Sequence, residues 1–130
     1  MHLSWLNNLN LSLTALYGAA VIGMSAAISH VFLAKFDAAM LASLLSSTAI
    51  LAFQTLALLA LSLYLRSQAN SSKWLAGVAF CWHLGLWLFV YTVWAGLFAL
   101  PLHFSSLAPI GGQLLLLSWL VLALTAWSRT

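Results

Sequence analysis

Residues 38–65 read AAMLASLLSSTAILAFQTLALLALSLYL, a run of 28 residues without a charged side chain. A helix needs about 20 apolar residues to cross a bilayer, and the run is continuous rather than alternating, which excludes a barrel strand. Runs at residues 11–34, 74–100 and 107–127 are also long and apolar enough to cross. We therefore predict an all-α membrane protein, a four-transmembrane-helix bundle with short loops that forms a single domain over residues 1–130.

The composition excludes several classes of protein. Of the 130 residues, 65% are hydrophobic and 4% are charged, whereas a soluble domain has about 25% charged residues. The lipid bilayer is therefore the expected environment. The net charge of +3 is not clustered on one face as nucleic-acid binding requires. A single cysteine, Cys81, cannot form a disulfide within the chain or hold a zinc ion or an iron–sulfur cluster alone.

The basic residues predict an orientation. With four spans, one end of the bundle carries both termini together with Arg66, Lys73 and Arg129, while the other end has Lys35 offset by Asp37. The positive-inside rule then places both termini in the cytoplasm. Three tryptophans fall at that same interface, where indoles prefer to lie: Trp5, Trp74 and Trp127. We expect the cell inner (plasma) membrane, or the mitochondrial inner membrane if the source is eukaryotic.

Small residues on the first span indicate helix packing. They recur every four positions: Ala15, Ala19, Gly23 and Ala27. Such a row lets a neighbouring backbone approach closely, either within this chain or in another protein. If the neighbour is in the chain, Gly23→Leu should destabilise the bundle.

Two polar residues lie deep in the predicted spans. From a helical rise of roughly 1.5 Å per residue, His83 lies about 6 Å and Gln54 about 4 Å to the cytoplasmic side of their span centres. This shared depth predicts a hydrogen bond between Gln54 and His83. The pair would either hold two helices together or form part of a quinone, proton or cofactor site.

The outer end contains a second group of polar residues. His30 could approach Asp37 and His103, and three such groups could bind a metal ion, although their spacing fits no known ligand motif. Asp37 also directly precedes the second span, where it would cap the helix N-terminus. No acidic residue lies within a span, and no nucleophile–base–orienter set is apparent. We therefore predict no catalytic residues, no metal site and no cofactor.

The fourth span carries a family resemblance. Residues 107–120 read LAPIGGQLLLLSWL, which resembles the Ala-Pro-x-Gly-Gly motif and following Trp of a family of small four-span proteins. This family is called domain of unknown function 423 in bacteria and transmembrane protein 256 in animals. The matching positions are Pro109, Gly111, Gly112 and Trp119. Pro109 suits the first turn of a helix, and the two glycines allow close contact there.

Two further segments match the family in the right order. The segment FQTLALL at residues 53–59 resembles the family's Phe-His-x-Leu-Ala-Leu-Leu, and His30 matches a histidine at the end of a first-span motif. The chain departs from the family at Gln54, which replaces a histidine. It also departs at Ser25 and Ile28, which replace glycines, and at Trp94, which replaces a tyrosine. The resemblance implies the fold and the membrane location, but no activity, because the family is largely uncharacterised.

These observations favour a non-catalytic protein that packs against a larger inner-membrane complex as an accessory or assembly subunit. Its partners would be other membrane proteins or further copies of itself. The first alternative is a redox or quinone-binding membrane subunit that uses His83 and Gln54. The second, a small transporter or channel, is disfavoured because ion-coupled carriers place ionisable groups at mid-depth.

Overall fold

The chain folds into long helices joined by short connections. The computed structural model describes residues 2–68, 72–102 and 104–127, and these contain helices and no strand. The first helix ends in a π-helical turn, π1, and a second π-helical segment, π2, interrupts the third span. The elements in order are α1 His2–Ala27, π1 Ile28–Phe32, α2 Ala38–Ser67, α3 Lys73–Leu86, π2 Trp87–Tyr91, α4 Thr92–Leu97 and α5 Leu107–Trp127.

Among the described residues, four helical stretches are long and apolar enough to cross a membrane, which confirms the predicted fold class. They are Trp5–Phe32, Ala38–Ser67, Lys73–Leu97 and Leu107–Thr125. The first helix starts at His2 rather than at residue 11. As a result, the polar residues Asn7, Asn8 and Asn10 lie on α1 instead of in a segment that precedes it, and Asn10 becomes available to the interior of the bundle.

The start of α2 agrees with the prediction for Asp37. The first backbone N–H groups of a helix have no intrahelical acceptor, and a carboxylate at the N-cap position can accept from one of them. Asp37 has extended backbone angles, φ −70° and ψ 171°, and its Oδ1 accepts a 2.8 Å hydrogen bond from the Met40 backbone N–H. The cap predicted from sequence is confirmed.

The core is organised around one face of α2. Four buried leucines lie on this face at seven-residue intervals: Leu44, Leu51, Leu58 and Leu65. A seven-residue repeat keeps one seam facing its neighbours and is typical of left-handed helix packing in membranes. Hydroxyl groups follow three of these leucines by four residues and donate to their carbonyl oxygens, namely Thr48, Thr55 and Ser62. The seam can therefore carry hydroxyl side chains without burying unsatisfied donors.

The other helices pack on a central pair. Helices α2 and α3 contact each other, α1 packs on α2, and α5 packs on α3 and π2. At the end of the bundle opposite the N-terminus, the rings of Phe32, Phe36 and Phe98 lie against one another, with centroids 4.8 to 5.9 Å apart. These contacts attach the end of α1 to the end of α4.

The residue that follows the C-terminal end of α4 adopts a left-handed backbone conformation although it is not glycine. Ala99 has φ 52°, and the Leu100 N–H beyond it donates to the Ala95 carbonyl oxygen over 2.9 Å. This is the Schellman arrangement, in which glycine is favoured because it avoids the steric cost of a Cβ. The helix end therefore contains a local strain that a single substitution can relieve.

Candidate functional site

His83 lies at the centre of a hydrogen-bonded network between α1 and α3. Its Nε2 is 2.5 Å from Asn10 Oδ1, and its Nδ1 is 2.8 Å from the Tyr17 hydroxyl. Asn10, Thr14 and Tyr17 fall on one face of α1 because their spacing is four and three residues. Thr14 is buried and donates to the Asn10 carbonyl oxygen over 2.7 Å. One polar face of α1 is thus directed at α3.

The orientation of the Asn10 amide sets the direction of the hydrogen bonds in this network. The amide oxygen of Asn10 can only accept, so Nε2 of His83 carries the proton, and in the neutral ring Nδ1 is then an acceptor. Tyr17 therefore donates to Nδ1. The Tyr17 oxygen in turn accepts a 3.1 Å hydrogen bond from the Trp87 indole N–H. Both ring nitrogens of His83 are occupied in this arrangement, which leaves neither free to ligate a metal.

The network continues from Asn10 into α2. The amide nitrogen of Asn10 donates to Ser62 Oγ over 2.8 Å, and Ser62 donates to the Leu58 carbonyl oxygen over 2.6 Å. Five side chains from the first three spans are therefore linked: Trp87, Tyr17, His83, Asn10 and Ser62. In lipid such bonds help to hold helices together.

The predicted hydrogen bond between Gln54 and His83 is wrong. Both residues lie in the bundle, but they use different partners on different helices. His83 is directed at α1, whereas Gln54 Oε1 accepts a 3.1 Å hydrogen bond from the Trp119 indole N–H on α5. A similar estimated depth does not pair the two residues, because the rotation of each helix about its axis directs their side chains at different neighbours. The redox alternative thus loses the shared site on which it rested.

Gln54 belongs to a second polar cluster, together with Trp119 and Trp82. The ring centroids of Trp82 and Trp119 are 4.6 Å apart. Gln54 is 2% exposed and Trp82 is 1% exposed. Gln54 Nε2 and Trp82 Nε1 have no hydrogen-bond partner among the described residues. Because an indole N–H only donates, Trp119 requires the amide oxygen of Gln54 on its side and directs the amide nitrogen away.

The glycine motif lies where α5 crosses α3. A Cβ built on Gly111 would be 2.5 Å from the Phe89 backbone nitrogen and 2.8 Å from the Gly85 carbonyl oxygen. Only glycine fits between two backbones at this separation. Gly112 is less restricted, because its Cβ would meet only the Phe89 ring at 3.8 Å. Pro109 lies in the first turn of α5, as predicted.

Gly85 was not identified from the sequence. Its Cβ would lie 2.8 Å from the Leu115 side chain and 3.2 Å from the Gly111 carbonyl oxygen. The residue lacks a motif of its own, and only the pairing of α3 with α5 reveals it. Gly85 and Gly111 therefore form the two sides of one close crossing, which lies where α3 continues into π2.

The small-residue row of α1 does not pack inside this chain. Ala15, Ala19 and Gly23 are exposed, and a Cβ on Gly23 would meet nothing within 4 Å. Of the four residues, only Ala27 is partly buried. The within-chain alternative for Gly23 is therefore wrong. The row is accessible on the surface of the bundle.

The residues at the opposite end of the bundle from the N-terminus do not assemble a metal site in the part of the chain that is described. His30 is exposed on π1, and Asp37 is occupied as the cap of α2. His103 lies outside the described residues. Within the described ranges, no three His, Cys, Asp or Glu side chains come together.

Comparisons of the chain with protein families, with curated proteins and with solved structures find no match. The arrangement of its own residues is therefore the basis for a functional proposal. That arrangement consists of a directional network around His83, a glycine crossing between α3 and α5, and an exposed row of small residues on α1.

Proposed function

We propose that this protein is a non-catalytic accessory or assembly subunit of an inner-membrane complex, and that it binds a partner helix along α1. The observation that carries the proposal is the exposed row Ala15, Ala19 and Gly23. In lipid, helices associate through close packing rather than through a hydrophobic drive, so a row of small residues is the surface along which another backbone can approach.

The side chains beside the row also support this proposal. Leu16 is 64% exposed and Ile22 is 74% exposed, so large apolar groups flank the small ones. Small residues next to large ones offer the ridges and grooves into which the side chains of another helix can pack. The hydrogen bonding of the deep polar groups also supports the proposal. His83, Asn10, Tyr17 and Trp119 hydrogen-bond to other side chains of the same chain.

The proposal includes the orientation and the membrane. Arg66 and Lys73 lie at the end of the bundle where α1 begins, and Trp5 and Trp74 are exposed at that end. These positions support an inner-membrane protein with both termini in the cytoplasm. Reporter fusions at Met1 and Thr130 should both report cytoplasm, and an external signal at either terminus would contradict this orientation. The resemblance to the domain of unknown function 423 family is part of the same proposal.

The test compares two glycine substitutions on exposed helix faces. Gly23 and Gly77 both have open space around a built Cβ, so leucine at either position should leave the folding of the monomer intact. Gentle native extraction should recover the wild-type chain in a larger complex. Gly23→Leu should release it from that complex, and Gly77→Leu should not. Recovery of the wild-type protein solely as a monomer or homo-oligomer would contradict the accessory-subunit proposal.

A further inference from the structure

A groove of about 280 Å³ lies between α1, α2 and the third span, near the middle of the bundle. Four aromatic side chains line it: Tyr17, Trp87, Tyr91 and Trp94. The remaining lining residues are leucine, alanine and valine. Flat rings pack well against aromatic side chains in offset or edge-to-face arrangements. The groove therefore suits a planar apolar ring better than a flexible chain.

Most polar groups of the groove already have a hydrogen-bond partner within the protein. The Tyr91 hydroxyl donates to the Pro101 carbonyl oxygen, and the Trp94 indole donates to Ser47. The Trp87 indole donates to Tyr17. The Tyr17 hydroxyl differs from these groups because the direction in which it donates depends on the state of the His83 network.

The network can be reversed by rotating one side-chain amide, that of Asn10. If the Asn10 amide is turned end for end, its nitrogen donates to His83 Nε2 and its oxygen accepts from Ser62, whose single hydroxyl proton then leaves the Leu58 carbonyl oxygen. His83 then has its proton on Nδ1 and donates to the Tyr17 oxygen. One proton leaves Nε2 and one joins Nδ1 through water, so the number of protons is unchanged. In this reversed orientation the Tyr17 oxygen accepts hydrogen bonds from both His83 and Trp87. The Tyr17 hydroxyl keeps its proton and can donate it in a hydrogen bond into the groove.

The balance between the two orientations depends on an acceptor in the groove. A hydroxyl proton without an acceptor in an apolar site costs free energy, so an empty groove favours donation from Tyr17 to His83. A bound carbonyl oxygen would accept the Tyr17 proton and favour the reversed orientation. Ligand binding and the tautomer of His83 are therefore linked.

We propose that this groove binds a lipid-soluble quinone, whose ring packs among the aromatic side chains and whose carbonyl oxygen accepts a hydrogen bond from Tyr17. Gln54 has no part in the site, because it is bonded to Trp119. The small residues Ala15, Ala19 and Gly23 do not line the groove, whereas Leu16, which flanks their row, does. Quinone binding and the partner contact proposed above are therefore neighbouring features of α1 that are tested by different variants.

Two tyrosines, Tyr17 inside the groove and Tyr64 outside it, provide a matched pair of variants. Purified full-length protein in lipid nanodiscs is titrated with a decyl-substituted benzoquinone, and binding is followed by quenching of tryptophan fluorescence. Tyr17→Phe should weaken binding about tenfold, as expected for loss of one hydrogen bond. Tyr64→Phe removes a tyrosine hydroxyl from α2 outside the groove and should leave the affinity unchanged. A decyl-substituted benzene without the two carbonyl oxygens should bind wild type and Tyr17→Phe equally and weakly.

The tautomer of His83 is a second readout, which needs no variant that could fail to fold. Nitrogen NMR of ¹⁵N-histidine protein should show a proton on Nε2 of His83 without quinone and on Nδ1 at saturation. Absence of saturable quinone binding would overturn the proposal. A groove filled by lipid ester groups would give this result. Equal affinity for the quinone and the carbonyl-free probe, equal losses in the two tyrosine variants, or an unchanged tautomer at saturation would overturn it as well.

Discussion

Substitution of Gly111 by alanine tests the packing of α5 against α3. The new Cβ would lie 2.5 Å from the Phe89 nitrogen and 2.8 Å from the Gly85 oxygen, whereas ordinary contacts begin at 3.4 Å. Both neighbouring atoms belong to the backbone and cannot rotate away. The two helices must therefore separate by roughly 1 Å, which removes dispersion contacts along the whole crossing.

The expected magnitude follows from two opposing effects. Overpacking a tight interface costs about 1–3 kcal/mol, and the rigid backbone neighbours place Gly111→Ala near about 3 kcal/mol. Alanine is a better helix former than glycine by about 1 kcal/mol, which reduces the net destabilisation to about 2 kcal/mol. At Gly112 the nearest atom is a side-chain carbon at 3.8 Å. Gly112→Ala should therefore gain only the higher helix propensity of alanine, which stabilises the protein by about 1 kcal/mol.

The assay is reversible unfolding in mixed detergent micelles with an increasing fraction of SDS, followed by tryptophan fluorescence. The two adjacent variants should differ by about 3 kcal/mol in free energy of unfolding, with Gly111→Ala below wild type and Gly112→Ala above it. If Gly111→Ala is as stable as Gly112→Ala, α3 and α5 do not cross at this glycine, and the close approach described here is refuted.

Two further predictions concern local features of the bundle. Ala99→Gly should stabilise the protein by up to about 1 kcal/mol in the same unfolding assay, because glycine adopts the left-handed conformation without a Cβ clash; a loss of stability would contradict the Schellman arrangement. A double-mutant cycle of His83→Phe with Asn10→Leu should give a coupling energy of about 0.6–1.7 kcal/mol. In the cycle of His83→Phe with Gln54→Leu the two changes in free energy should be additive. Coupling of His83 with Gln54 and none with Asn10 would restore the pairing inferred from depth alone.

The fold could be predicted from sequence because the membrane leaves few choices. Long apolar runs bounded by Lys35–Asp37 and Arg66 can only be spanning helices, since lipid offers backbone groups no other partners. The Asp37 cap was also predictable, because it depends on residues that are neighbours in sequence. The close approach at Gly111 was predictable because glycine lacks a Cβ and so allows two helices to meet. The seven-residue spacing of the buried leucines on α2 is also a property of the sequence.

Contacts between helices could not be predicted in the same way. Residue spacing estimates depth in the bilayer but not the rotation of each helix, so Gln54 and His83 were paired although they face different neighbours. Asn10 was missed because the polar start of the chain was placed before the first span. The row at Gly23 was ambiguous for a further reason: lipid is as apolar as leucine, so composition does not distinguish a face toward lipid from one toward protein.

The central claim, that the protein works by contact along α1, is tested most directly by photocrosslinking in the native membrane. A photoreactive side chain replaces Ala19, which is exposed in the row, and the control position is Gly77 on an exposed face of α3. The account predicts one discrete protein adduct from position 19, absent when Gly23→Leu is added, and only lipid adducts from position 77. Lipid adducts alone from position 19, or the same protein adduct from both positions, would contradict it.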